Sequence, residues 1–260
     1  VAAPEALLEH RRGPVVWITT PAFEATGRAL GLPDPAVVDR LLAPAPFAPG
    51  TVGRAPTATV AMPDGPDRLH VRRVLHGGWW AGLWRGGIAG LGRVRRELAL
   101  TTTLRAAGAP VPVAAFAVAR REGLLWRAAV CTVHVEGARD GIRFLRSAPT
   151  SAAVEEAGRA IGWAVGRMHE LGVRHPDLHL GNLLVRAEGA RFEAWVIDLD
   201  GARRARSTPA RRRRRECRRL ARSLRKRGHG ALLAGPAAEA FAAGYRAAAR
   251  GTATTGGRTG

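Results

Sequence analysis

Three oxygen-bearing side chains, Asp177, Asn182 and Asp198, carry the richest chemistry in the sequence. Asp177 and Asn182 stand in the stretch His175-Pro176-Asp177-Leu178-His179-Leu180-Gly181-Asn182. Asp198 follows Asn182 by sixteen residues, after the apolar run Trp195-Val196-Ile197. A second apolar run, Leu183 to Val185, starts directly after Asn182. If the two runs pair as a hairpin, Asn182 and Asp198 come to one end, within reach of the loop that carries Asp177. Hard divalent cations take oxygen ligands, and Mg2+ combines one or two protein groups with substrate phosphates. Asp198 can supply a carboxylate and Asn182 a neutral oxygen, which leaves Asp177 as a base or hydroxyl orienter. Phosphoryl transfer needs that division, because its catalysis is mostly positioning and charge neutralisation. Each residue alone has a plainer use as a turn cap, a local hydrogen bond or a loop start. Their joint spacing behind a long helix favours the chemistry.

That helix is expected over 152–171. Val154, Ala157, Ile161, Val165 and Met168 recur at helical spacing, with Glu155, Glu156 and Arg159 off the stripe. Gly158, Gly162 and Gly166 lie inside it, each costing about 1 kcal/mol against alanine, so its stability has to come from packing. Upstream, residues 57–75 read as an antiparallel hairpin, Val94 to Ala107 as a helix with Leu100, Leu104 and Ala107 on its stripe, and 113–120 and 124–135 as two strands. The first fifty residues read as irregular, with one strand within Gly13 to Phe23 and a short helix that breaks at Pro44 and Pro46. Trp79, Trp80 and Trp84 fall in a glycine-rich stretch that suits either a core cover or an interfacial flap. The expected class is α+β, a β-rich first half and an α-rich second half hinged near Gly137 to Gly141.

Charge narrows the partners. The 260 residues carry a formal charge of +20. From Arg203 to Arg227, thirteen arginines and Lys226 face a single acid, Glu216, so this segment holds +13 of the total. Such a block suits an anionic partner: a membrane surface, a phosphorylated lipid-linked sugar or a nucleic acid. No zinc spacing or helix-turn-helix signal accompanies it, so nucleic acid is the disfavoured choice. Two cysteines, Cys131 and Cys217, make neither a disulfide framework nor a ligand cluster. No apolar run reaches the roughly 20 residues of a membrane span, and no early stretch reads as a signal peptide. The expected location is cytoplasmic, peripheral on the inner-membrane face.

The segments "VRRVLHGG", "RVRRELALTTTLRAAGAPVPVAAFA", "HPDLHLGNLLV", "VIDLDGAR" and "CRRLARSLRKRG" occur in that order. Together they resemble the lipopolysaccharide kinases that phosphorylate 3-deoxy-D-manno-octulosonic acid (Kdo) or core heptose, over roughly residues 50–245. The resemblance implies a protein-kinase-like, two-lobe fold with ATP and Mg2+ bound between the lobes. It implies an extension over 1–49, an N-lobe over 50–136, a C-lobe over 137–250 and a tail over 251–260. Asp177 then takes the catalytic position, Asn182 and Asp198 hold the metal, and His175 supports the loop. The lysine that grips ATP phosphates in such kinases is replaced, since Lys226 is the only lysine. Arg72 matches its position, with Arg73 as a close rival, and Glu97 matches the helix glutamate that pairs with it. Gly50 and Gly53 match the phosphate loop, in a shortened form. Asp200 replaces the glycine of the usual Asp-Phe-Gly, and no Ala-Pro-Glu segment follows. The implied acceptor is an anionic lipid-linked sugar, Kdo on lipid A or the inner core. Heptose, a small-molecule acceptor of the aminoglycoside or choline type, an atypical protein kinase and a silent basic module are the alternatives.

Overall fold

The computed structural model describes residues 6–43, 57–75, 87–189 and 191–251. Gly50, Gly53 and the three tryptophans at 79, 80 and 84 lie outside these described residues. The described residues fall into two compact units, Val1–Thr103 with Val113–His134, and Leu104–Pro112 with Val135–Gly260.

In the first unit, six strands, β1 (Leu8–Arg12), β2 (Val15–Thr19), β3 (Thr57–Ala61), β4 (Arg68–Val74), β5 (Ala114–Glu122) and β6 (Leu125–Val133), form one antiparallel sheet in the order β1-β2-β5-β6-β4-β3, whose inner strands are apolar on both faces and need cover on both sides. Helices α1 (Glu24–Ala29), α2 (Pro35–Leu42) and α3 (Gly92–Ala106) complete the unit. The period of two divides the strands. Val15, Trp17, Phe116 and Val118 cluster with Val38, Leu41 and Leu42 of α2. Val16, Ile18, Ala117 and Ala119 cluster instead with Val94 and Leu98 of α3. Asp34 starts α2 by accepting the Ala36 N–H at 2.9 Å, with Pro35 at the first helical position.

Two expectations change here. The segment before residue 50 was expected as an extension, yet β1 and β2 are integral strands of the sheet. The buried face of α3 runs through Val94, Leu98 and Leu104, while Leu100 and Ala107 are only half-buried. The sheet selects Val94 and Leu98, because its second apolar face has to be covered.

The second unit is mostly helical. It comprises β7 (Arg139–Asp140), α4 (Gly141–Arg146), α5 (Ser151–Glu170), β8 (Val173–Arg174), β9 (Leu183–Glu188), β10 (Arg191–Val196), β11 (Arg203–Arg204), α6 (Ala210–Arg225) and α7 (Pro236–Ala249). Thr150 caps α5 by accepting the Ala153 N–H at 3.2 Å. The glycines of α5 have their reason in α7. A Cβ at Gly162 would lie 2.1 Å from the Phe241 carbonyl oxygen, and one at Gly244 would lie 2.0 Å from that of Arg159. The two backbones therefore touch where neither chain carries a side chain. Helix α6 buries Glu216, Leu220 and Ser223 on one face and carries arginines around the rest. No helix among the described residues is long and apolar enough to cross a membrane.

Candidate active site

Strands β9 and β10 pair in a register that sets Leu183 opposite Val196. The next rung continues the ladder: the Ile197 N–H donates to the Asn182 carbonyl at 3.0 Å. Asn182 and Asp198 thus share one end of the hairpin, the arrangement their apolar neighbours predict. The Asn182 side-chain N–H donates to the Asp177 carbonyl at 2.9 Å, which leaves its amide oxygen as the group available for a cation. Asp198 has a left-handed backbone, φ 59°, which costs a non-glycine residue about 1 kcal/mol or more and persists only where its surroundings impose it.

His175 is fully buried and ties these parts together. Its Nε2–H donates to the Ile197 carbonyl at 3.0 Å, while its Nδ1 accepts the Asp177 N–H at 3.3 Å. One ring therefore fixes both the residue before Asp198 and the backbone of Asp177. Burial pushes the His175 pKa below its ordinary value, against the opposing pull of the Ile197 bond and the Asp198, Glu216 and Asp177 carboxylates. With both nitrogens committed to backbone groups, the ring holds the two segments together. The Asp177 side chain is 72% exposed, so its carboxylate is open to an incoming group. His179 Nδ1 accepts the Gly181 N–H at 3.0 Å, which leaves the proton on Nε2, 3.4 Å from Asp177 Oδ2.

Four supporting residues escape a reading of the sequence. Glu216, 3% exposed, accepts the His175 N–H at 3.0 Å and the His169 Nε2–H at 3.1 Å on one carboxylate oxygen. His169 Nδ1 in turn lies 2.7 Å from the Tyr245 hydroxyl, whose pKa is raised to about 12, first by burial. Ser223 Oγ accepts the Leu180 N–H at 3.2 Å. Helices α5, α6 and α7 thus each contribute a group to the loop's support. The one signal in the sequence is Glu216 itself, the only acid among the arginines of 203–227.

The basic segment is also partly structural. Arg213 donates to the Thr208 carbonyl at 2.7 Å and pairs with Glu170, while Arg227 donates to the Ser223 hydroxyl at 2.9 Å. The outer arginines of α6, such as Arg211, Arg214 and Arg218, stay exposed.

The other candidate pair lies in the first unit. Arg72 Nη2 donates to Glu97, and Glu97 is 7% exposed, so the carboxylate is held in a largely dry site by its partner. Arg72 and Arg73 sit on opposite faces of β4, and only Arg72 shares the face of Val74, which packs with α3. Arg73 lies near Arg127 and Glu122, and its pKa is lowered first by burial and then by Arg127. The geometry therefore gives Glu97 to Arg72.

The donor set suits a hard cation. Among the described residues no group of three or more His, Cys, Asp or Glu could hold a metal. Mg2+ takes few protein ligands and fills its shell with water and phosphate. An aspartate and an amide oxygen at one hairpin end fit this limited share.

Comparisons with known proteins bear on the family and the fold. Residues 56–245 match the model of the lipopolysaccharide kinase (Kdo/WaaP) family. The 3-deoxy-D-manno-octulosonic acid kinase of Vibrio cholerae serotype O1 is 34% identical over 108 residues, 42% of this chain and 43% of that one. The protein of the same name from Stenotrophomonas maltophilia (strain R551-3) is 36% identical over 157 residues, 58% of this chain and 59% of that one. The chain thus spans about half the length of the curated relatives it matches. Among solved structures, "WaaP in complex with acyl carrier protein" aligns over 86% of both chains with a TM-score of 0.54 and 23% identity, which is a likeness of fold. The fold is α+β and kinase-like, with a β-rich N-lobe and a helical C-lobe. With most of its length under the family model, the chain belongs to the lipopolysaccharide kinase (Kdo/WaaP) family.

Proposed function

We propose that the protein is a phosphotransferase that uses Mg2+-ATP to phosphorylate a sugar hydroxyl of the lipopolysaccharide inner core, with Kdo as acceptor. The observation that carries this reading is the gathering of Asp177, Asn182 and Asp198 at one end of the β9–β10 hairpin, inside the family segment.

Asp177 orients the acceptor hydroxyl and takes its proton as the new P–O bond forms. The bond from the γ-phosphorus to the bridging oxygen breaks, and ADP leaves with that electron pair. Asn182, through its amide oxygen, and Asp198, through its carboxylate, would hold Mg2+. When bound, the ion neutralises charge on the phosphates. Arg72, positioned by Glu97, contacts the ATP phosphates in place of the usual lysine. The exposed arginines within Arg203–Arg227 favour an anionic acceptor at the cytoplasmic face of the inner membrane.

The test is phosphorylation by purified protein with Mg2+-ATP of Kdo-bearing lipid A, heptosylated core, an aminoglycoside and a generic protein. The phosphate position is read by mass spectrometry and NMR. Phosphate on Kdo, lost in Asp177→Asn and Asp198→Asn while the fold persists, supports the reading. Phosphate on heptose alone moves the acceptor within the family, and phosphate on protein without a sugar product rejects the acceptor.

A further inference from the structure

Helix α3 carries Glu97, and its own sequence does little to steady it. Its first turn holds no acid. Arg93, Arg95 and Arg96 crowd its start instead, where the partial positive charge of a helix N-terminus disfavours cations. Further along, the hydroxyls of Thr101, Thr102 and Thr103 donate to the carbonyls four residues back at 2.8, 3.0 and 2.7 Å, bonds that slightly weaken and bend a helix. The position of Glu97 therefore depends on what holds α3 from outside.

Strand β1 supplies the missing acid. Glu9 accepts from Arg95 Nε at 2.9 Å and from Arg95 Nη2 at 3.1 Å, one bond on each carboxylate oxygen. Arg11, next along the same face of β1, adds bonds of 3.0 and 2.7 Å. Burial acts to raise the Glu9 pKa, but the bonds from Arg95 and Arg11 outweigh it, and the carboxyl titrates below its ordinary value. The register sets Glu9 opposite Ile18, which belongs to the cluster that α3 covers, and Leu7 packs on that same cluster. The α3 side of the sheet thus receives both residues.

The far end of the connection is Arg72. At 3.6 residues per turn, Arg95 and Glu97 leave α3 about 200° apart, one towards β1 and the other towards β4. Val94 and Leu98 are buried between them against the sheet. In the order β1-β2-β5-β6-β4 those two strands lie about 19 Å apart, at 4.7–4.9 Å for each neighbour. Two ion pairs therefore tie α3 across the sheet, and a roll that breaks one strains the other. Strands β1 and β2 precede the residues 56–245 that match the family model, so one of the two ties comes from outside the family segment.

We propose that Glu9 is a positioning residue for phosphotransfer: through Arg95 it holds α3 at the rotation that keeps Glu97 on Arg72, and it thereby sets the affinity for the ATP phosphates. The inference rests on the reading of Arg72 as the residue that contacts those phosphates.

ATP binding to the full chain is read by titration calorimetry, and the mobility of α3 by hydrogen exchange without nucleotide. Glu9→Arg, which sets a cation between Arg11 and Arg95, should raise Kd and KM for ATP about tenfold and change kcat by less than about twofold. It should also speed exchange of the amides over 95–100. Glu9→Gln should raise Kd about threefold, the scale of a part-exposed pair, and it carries the test if circular dichroism shows Glu9→Arg unfolded. Glu9→Arg with Arg95→Glu rebuilds the pair in reverse and should bring Kd back to within about twofold of the parent. In a Glu97→Ala background Glu9→Arg should cost no further affinity, because its route to Arg72 is gone; a merely structural role would lose the same factor in both backgrounds. Where Arg72→Ala binds ATP weakly, parental affinity or exchange in a folded Glu9 variant, failure of the reversed pair, or a full further loss beside Glu97→Ala overturns the inference alone. Arg72→Ala that binds ATP like the parent overturns the reading of Arg72, and the inference with it.

Discussion

Removing the Glu216 carboxylate should loosen the catalytic loop without touching a reacting group. Its oxygen receives two buried donors, the His175 N–H at 3.0 Å and the His169 Nε2–H at 3.1 Å. In Glu216→Ala both donors lose their acceptor, and an orphaned buried donor costs about 1–3 kcal/mol, so the pair costs roughly 2–6 kcal/mol. That is a large part of the 5–15 kcal/mol typical of a folded domain. Glu216→Gln keeps an oxygen but not the charge. Bonds to a charged partner exceed neutral ones by about 1 kcal/mol each, so the loss is near 2 kcal/mol. If the loop pays that cost in its productive form, kcat falls about thirtyfold. The Arg72–Glu97 pair lies in the other unit and is not touched by the substitution. Urea unfolding gives the stability term, and initial rates over a range of ATP concentrations give the kinetic one. A double-mutant cycle with His169→Gln should be non-additive by 0.5 kcal/mol or more. A Glu216→Ala protein as stable as the parent, or strictly additive losses, would show that the buried carboxylate does not hold the loop.

Arg72→Ala and Glu97→Ala should each lower kcat/KM for ATP at least tenfold, and the double variant should be little worse than the singles; fully additive losses would dissolve the functional pair. His70, near His134 and Arg72, has its pKa lowered to about 4, first by burial and then by those two side chains. The unfolded chain therefore binds the proton more readily, and stability should be complete above pH 6.5 and fall as the pH drops towards 4. His70→Gln should flatten that slope in denaturant titrations; an unchanged slope would assign it elsewhere. Gly162→Ala forces a Cβ towards a carbonyl 2.1 Å away, and overpacking of this kind should cost about 1–3 kcal/mol in urea unfolding, whereas helix propensity alone would make the substitution stabilising.

Local pattern decided much of what was legible in the sequence. Apolar runs on either side of a turn bring Asn182 to the residues around Asp198, because a hairpin needs only nearby partners. Helix α5 announced itself by its stripe, and its glycines announced a close neighbour without naming α7. What stayed hidden depends on distant packing. Strand β1, Leu-Glu-His-Arg-Arg, shows no alternation of apolar and polar residues, since as an edge strand it is free to carry charge. The choice between Arg72 and Arg73 turns on which face of β4 the helix α3 covers, and two adjacent arginines look alike until that face is known. Glu216 reads as a counter-ion in an arginine run, yet its partners lie 41 and 47 residues earlier and its charge points inward.

The order of these parts along the chain has a consequence for biosynthesis. Translation runs from N- to C-terminus, so His169, His175 and Asp177 leave the ribosome before Glu216 and Tyr245. Helix α5 likewise emerges before the α7 backbone that its glycines were left bare to receive. During that interval the loop lacks its anchors from α6 and α7, and α5 is a glycine-weakened helix with an open face. The support from Glu216, Ser223 and Tyr245 therefore arrives only when α6 and α7 dock.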